Sequence, residues 1–326
     1  MPRLLLAAVL TLVLALFSPL LFLPRTDEPD DPPAEETEES APLPPSGTDA
    51  ELTFFAKDGD SVAGTNMYDY LPGAVAAEMP ALFETEALKA QAVAARTYIM
   101  ELCAGENPKH PEAQVCSDPN CCKGWLSDAE LHEKWGDDYE TNMARILEAV
   151  RGTDGEYLAY EGEPIQAVFH ASSGGSTEAS AAVWADEPYL RSVTTPETEE
   201  NVPGLVTEVE LTAEEVRAAA AEYCPEAELS GAPDSWFGAK TLTESGRVDS
   251  ITLGGAELSG GDARRAFSLR STDFDVEYAD GRFIFTVRGY GHGVGMSQQG
   301  ANLLAEEGLD YAQILAHYYP GTELCR

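Results

Sequence analysis

Residues 84–102, ETEALKAQAVAARTYIMEL, decide how the rest of the chain is read. Leu88, Ala92, Ala95, Ile99 and Leu102 recur at helical spacing, and Ala fills most of the positions between them. Glu84 and Glu86 crowd the first turn, where a carboxylate favours the helix dipole. The pattern predicts a helix over 84–102. Upstream, 52–55 reads as a strand and 69–79 as a short helix ended by Pro80; downstream, strands are expected over 165–170, 248–253 and 282–287, and helices over 128–150, 213–222 and 301–317. The mixed order, with no regular alternation of strand and helix and no internal repeat, gives α+β as the fold class.

Charge narrows the function classes. The 326 residues hold 20 Lys+Arg against 57 Asp+Glu, a net charge of −37, which excludes nucleic acid as a default partner because a phosphate polymer needs basic side chains to release its counterions. The first 25 residues contain an uncharged apolar run, 4–23, long enough to cross a bilayer. An uncleaved transmembrane anchor over 1–25 is the preferred reading and a cleaved signal peptide its alternative. Residues 26–50 carry nine acidic residues, no basic ones and many prolines, the composition of an extended spacer lying outside the cytoplasm. The globular part is then 51–326.

Four features offer chemistry. Glu78 stands among small and apolar residues in VAAEMP; a carboxyl group so placed is poorly solvated, and its pKa rises toward that of a general acid, unless it lies on the exposed face of its helix. Arg96, in AARTY, either pairs with a nearby acid or holds an anionic ligand. His110, Cys116, Cys121 and Cys122 fall within thirteen residues and supply the sulfur and nitrogen donors of a closed structural zinc site, with a disulfide from Cys116 as the competing reading. A glycine-rich stretch, GYGHGVGMSQQG, brings backbone close to a ligand and offers His292 and Ser297. It lacks the spacing of a phosphate loop.

Taken together, VAAEMPALFETEALKAQAVAARTY, FHASSGGSTEAS, EPYLRSV and GYGHGVGMSQQGANLLAEEG resemble, in order and spacing, the sporulation-protein-D family of peptidoglycan lytic transglycosylases. The resemblance covers about residues 50–324. It implies that Glu78 is the catalytic acid and that Arg96, Tyr189 and Arg191 line a substrate cleft, with His170, Ser172, Ser173, His292 and Ser297 as further cleft residues. Arg191 stands where many relatives resemble P-Y-L-K. The resemblance also implies a zinc-binding insert over about 103–127, held by His110, Cys116, Cys121 and Cys122, with Cys121 where a His is expected. The implied substrate is peptidoglycan glycan strands, cut between N-acetylmuramic acid and N-acetylglucosamine during forespore engulfment, by a single-pass protein of the engulfing mother-cell membrane. Implied partners are the sporulation amidase, protein P, and the membrane protein M. A zinc amidase and a non-catalytic amidase-activating scaffold are the competing functions, and Glu86 competes with Glu78 for the role of acid.

Overall fold

The computed structural model describes residues 48–326 except Glu106, Pro119, Asn120 and Lys123. The anchor expected over 1–25 and the spacer up to residue 47 lie outside the described residues. Among those that are described, no helix is long and apolar enough to cross a membrane.

The chain opens with one helical turn, α1 (Thr48–Glu51), and a hairpin of β1 (Thr53–Asp58) and β2 (Ser61–Asn66). Helices α2 (Met67–Glu78) and α3 (Thr85–Cys103) follow, and then β3 (Val115–Cys116), which joins β1 in parallel. Next come α4 (Asp128–Trp135), α5 (Tyr139–Gly152), β4 (Tyr157–Tyr160), β5 (Glu163–Pro164) and β6 (Phe169–His170). A second group comprises β7 (Val206–Thr212), α6 (Ala213–Tyr223), β8 (Phe237–Leu242), β9 (Val248–Leu253), β10 (Ala256–Ser259), α7 (Gly260–Ala266), β11 (Phe274–Ala279) and β12 (Arg282–Arg288). It builds two antiparallel sheets, in the orders β10-β9-β8 and β11-β12-β7. The chain then returns through β13 (Met296–Ser297), parallel to β6, then α8 (Gln298–Glu306), α9 (Tyr311–Tyr318) and β14 (Glu323–Cys325), antiparallel to β4. The fold is α+β.

Two apolar clusters hold it. The first surrounds α3, on which α2, α5, α8 and α9 all pack. Ala87, Ala90, Ala92, Ala94 and Ala95 are buried, so neighbouring helices approach its axis closely from several sides. The second lies within 216–287 and is rich in rings: Phe237 meets Phe267, Phe283 and Phe285 edge-on, with centroids 5.3–5.7 Å apart.

At the heart of the first cluster is an ion pair. Arg96 donates from Nε and Nη2 to the two Asp49 oxygens, each at 2.7 Å, and its remaining N–H groups reach the Glu156 carbonyl at 3.0 Å and the Val150 carbonyl at 3.2 Å. Its side chain is 0% exposed. Arg96 therefore does not line a cleft, as the resemblance implied; all its donors are spent inside the core. The expected spacer boundary moves as well, because Thr48–Ala50, assigned to the spacer on composition, folds as part of α1 with Asp49 buried.

Three further expectations change for local reasons. The helix over 128–150 is interrupted at Gly136, whose φ of 53° no right-handed helix permits. The one over 301–317 divides at Gly308, and Asp310 caps the new start with a capping box. Only Phe169–His170 of the strand over 165–170 pairs, because Ala167 N–H and Val168 N–H turn back to the carbonyls two residues earlier.

Replacing Asp49 by Ala leaves a buried guanidinium without its counter-charge and should lower unfolding stability by about 3–5 kcal/mol. A protein begun at residue 51 should lose a comparable amount. Urea denaturation of both against a chain begun at residue 45 measures this, and an unchanged midpoint in either would refute the role given to the pair.

Candidate active site

A cavity of about 570 Å³ opens beside the C-terminal end of α2, with Glu78, Tyr98, Gln166, Trp184, Glu187 and His292 among its walls. Glu78, the last residue of α2, is half-buried there. Its setting begins four residues upstream of Ala77. A Cβ on Gly73 would lie 2.5 Å from the Leu126 carbonyl and from Trp125 Nε1, so glycine alone lets the 124–126 segment rest on the helix. Trp125 stacks on Tyr70 and donates to its carbonyl at 3.1 Å. This presents the Gly124 N–H to Glu78 Oε1 at 3.1 Å, while Oε2 accepts no hydrogen bond from a described residue. Lys134, tied to the Ala76 carbonyl at 2.9 Å, feels the Glu78 charge. Burial pulls its ammonium pKa down and Glu78 opposes that.

Glu86 is engaged elsewhere. One oxygen pairs with Lys89 at 2.7 Å and the other accepts the Tyr311 N–H at 2.9 Å, at the start of α9. The cavity does hold a second acid that the sequence did not single out, Glu187. The Tyr189 hydroxyl, its pKa raised by burial with the nearby Glu187 charge adding to it, accepts the Gln166 N–H at 3.3 Å, so Tyr189, buried against Tyr160, braces the wall residue Gln166 from behind. Arg191 is exposed and pairs with Asp186 at 2.7 Å while donating to the Pro188 carbonyl at 3.2 Å. Neither Tyr189 nor Arg191 is itself a wall of the cavity; both shape the loop that brings Trp184 and Glu187 to it.

The serines expected in the cleft are also withdrawn from it, because a buried carboxylate claims them. Glu197 accepts from the hydroxyls of Ser172, Ser173 and Ser297 and from the N–H groups of Ser173 and Gly174. It ties two distant segments together. The glycine-rich stretch brings its backbone close to the chain's own strand rather than to a ligand: a Cβ on Gly291 would lie 2.6 Å from the His170 Cβ, and one on Gly295 would lie 2.1 Å from the Val168 carbonyl. His292 is thereby carried to the cavity wall, edge-on to Trp184 at 5.3 Å, with Nδ1 accepting the Val294 N–H at 3.0 Å. His170, by contrast, is buried, its Nδ1–H donating to the Val294 carbonyl at 3.2 Å.

On one rim, Cys121 and Cys122 belong to the expected metal cluster. The ligand atoms of His110, Cys116, Cys121 and Cys122 all lie within 4.8 Å of one another. His110 Nδ1–H donates to the Ala113 carbonyl at 2.8 Å, which leaves Nε2 as a lone-pair donor 3.1 Å from Cys122 Sγ. Burial, with neighbouring thiols adding to it, pushes the Cys122 thiol up to about 12. Thiols so grouped resist ionisation unless a cation joins them, and a divalent ion reverses that preference. The donor set and its spacing fit zinc, and all six cysteines are free.

Sequence reasoning missed Gln166, Trp184, Glu187 and Glu197. Glu197 sits beside Glu199 and Glu200 in an acidic run that reads as solvated surface.

The family model described as Stage II sporulation protein matches residues 57–160. Over 276 residues the chain is 36% identical to Stage II sporulation protein D of Bacillus subtilis strain 168, covering 84% of this chain and 78% of that one. It is 35% identical to Stage II sporulation protein D of Bacillus amyloliquefaciens over the same shares. A more distant relative is the Amidase enhancer of Bacillus subtilis strain 168, 28% identical over 78% of this chain and 40% of its own length.

One consequence of the site's construction concerns acid. Burial, then the Arg247 cation, pulls the His170 pKa from 6.5 to about 3, so the folded chain holds this imidazole neutral while the unfolded chain protonates it below pH 6.5. Unfolding therefore takes up a proton between those values, and stability falls as pH drops through that window. This one group should remove about 1.4 kcal/mol per pH unit. Urea midpoints of wild type and His170→Asn from pH 7 to 4 check it: the wild-type slope should exceed that of the variant, and parallel slopes would refute the assignment.

Proposed function

Because the chain belongs to the stage II sporulation protein D family, we propose that it is a peptidoglycan lytic transglycosylase of sporulation, with Glu78 as its acid and base. The observation that carries the reading is the placement of Glu78. It is a cavity carboxylate with one oxygen steadied by the Gly124 amide and the other left toward the cavity without a described partner. One carboxyl of this kind suffices for non-hydrolytic cleavage of the bond between N-acetylmuramic acid and N-acetylglucosamine. Glu78 protonates the departing glycosidic oxygen as the C1–O bond breaks; its carboxylate then takes the proton of the muramyl C6 hydroxyl while that oxygen bonds to C1. A 1,6-anhydro sugar results, no water is consumed, and Glu78 ends protonated for the next cut.

The neighbouring groups serve binding and orientation. Trp184 and Tyr98 offer faces to sugar rings, and Gln166 and His292 offer polar groups to hydroxyls and acetamides. Zinc held by His110, Cys116, Cys121 and Cys122 would be structural, with all four positions filled by protein, and would fix the rim that runs on to Gly124. The apolar run 4–23 would anchor the protein in the membrane, with the catalytic part outside the cytoplasm, where peptidoglycan lies. Protein P, as the amidase that bares the glycan, and membrane protein M remain the partners of this reading.

Two other readings have support on specific grounds. Glu187 in the same cavity supplies the second carboxylate that hydrolysis would need. The relative named Amidase enhancer favours a scaffold that stimulates an amidase. Mass spectrometry of products from peptide-free glycan separates the three. Wild type and Glu187→Gln should both release anhydromuramyl ends, and Glu78→Gln should fall at least a hundred-fold. Reducing ends lost with Glu187→Gln would mean hydrolysis, and glycan binding without any cleavage would mean the scaffold.

Metal content tests the zinc site separately. Elemental analysis of the purified protein should give one zinc per chain, lost in Cys116→Ser and in Cys122→Ser. A metal-free chain lighter by two hydrogens would instead establish a disulfide.

A further inference from the structure

Beyond the ridge that carries His292 lies a second cavity of about 310 Å³, more enclosed than the first. We infer that it is a further subsite of the same glycan groove, taking a sugar whose carboxylate is held by Arg264; the inference rests on the glycan-cleaving reading above. Continuity is the first argument. His292 faces both cavities, and Val183 lines the second while its neighbour Trp184, 43% exposed, lines the first. A polymer leaving the cleavage point along the exposed Trp184 face and the His292 edge passes from one to the other.

Charge is the second. In a chain of net charge −37, this cavity gathers Arg264 and Arg265 in its wall, with Arg247 close behind. Arg265 is paired with Asp262. Arg264 has no acidic partner among the described residues: its Nε reaches the Leu269 carbonyl at 3.4 Å, and burial together with the Arg247 and Arg265 cations disfavours its charge, which the Tyr290 phenol favours. Arg247 is 98% buried beneath Gly293, the residue after His292; its Nη2 donates to the Ser173 and Ser176 carbonyls, and its Nε and Nη1 have no hydrogen-bond partner among the described residues. The cavity's own carboxylates do not neutralise this cluster evenly. Glu178 accepts from the hydroxyls of Thr243 and Ser245 and from the Ala179 N–H and, still charged, favours the Arg247 cation; Asp249 is the other acid in the wall, and neither carboxylate pairs with Arg264 among the described residues. An unpaired guanidinium in a half-closed polar pocket calls for an anion on the ligand, and in a bare glycan strand the recurring anion is the lactyl carboxylate of muramic acid. The volume sits at the small end of the roughly 300–1,000 Å³ found for small-molecule pockets, which suits one sugar rather than several.

The test compares bare glycan strands with the shortest glycan that wild type cleaves, using Arg264→Gln and, as a surface change that leaves the packing of α7 in place, Arg265→Ala. Loss of a charge-assisted contact should raise the KM of Arg264→Gln for long strands roughly ten-fold with kcat unchanged, and cleavage of the shortest glycan should match wild type. Arg265→Ala should shift KM for long strands in the same direction by less. Equal kinetics on both substrates, or equal loss on both, overturns the subsite. If wild type cuts neither substrate, the cleavage reading fails by itself, and co-sedimentation with uncut strands decides the subsite: weaker binding by Arg264→Gln upholds it, and unaltered binding removes it.

Discussion

The structure hangs on a charge placed where charge is normally excluded. Arg96 occupies the middle of an alanine-rich helix, and it can stay there only because Asp49 meets it with both oxygens, the Val150 and Glu156 carbonyls accept its remaining donors, and the Gly155 N–H donates to Asp49 in turn. The pair fixes the start of the folded chain, the centre of α3 and the exit of α5 relative to one another. Everything around the cavity is then referred to α3: α2 packs on it and carries Glu78, and α8 and α9 pack on it and follow the glycine-rich stretch that carries His292.

The chain carries 57 acidic residues, and what distinguishes the informative ones is surroundings rather than identity. Glu86 serves a helix start, Glu178 and Glu197 are saturated by hydroxyl and amide donors, Glu187 lies near the Tyr189 phenol, and Glu78 keeps an oxygen toward the cavity. A carboxylate with every lone pair engaged is a structural element, and one with a lone pair to spare in a cavity is left able to meet a ligand.

Much of this was legible in the sequence where a signal is local. The period of 84–102 gave the central helix, the small-residue setting of Glu78 drew attention to it, and the spacing of His110 with three cysteines matched donors that do converge. What failed did so for long-range reasons. Arg96 in an alanine field looks the same whether it faces ligand or core; only Asp49, 47 residues away, decides. Ser172, Ser173 and Ser297 read as ligand hydroxyls because their acceptor, Glu197, hides in an acidic run. Tyr189 and Arg191 lie next to the wall in sequence and one layer behind it in space.

The Glu197 junction links parts of the chain far apart in sequence. Ser297 reaches it across 100 residues, and the strand pair that delivers His292 joins Phe169–His170 to Met296–Ser297. One carboxylate thus couples the segment around residues 172–174 to the one around 297, and a change at either end is felt on the cavity side that His292 occupies. Among the described residues, helices α8 and α9 themselves contribute no wall residue to the cavity, yet Tyr319, just past α9, donates to the carbonyl of the wall residue Val168 at 2.8 Å, so a disturbance of these helices reaches the cavity through its backbone.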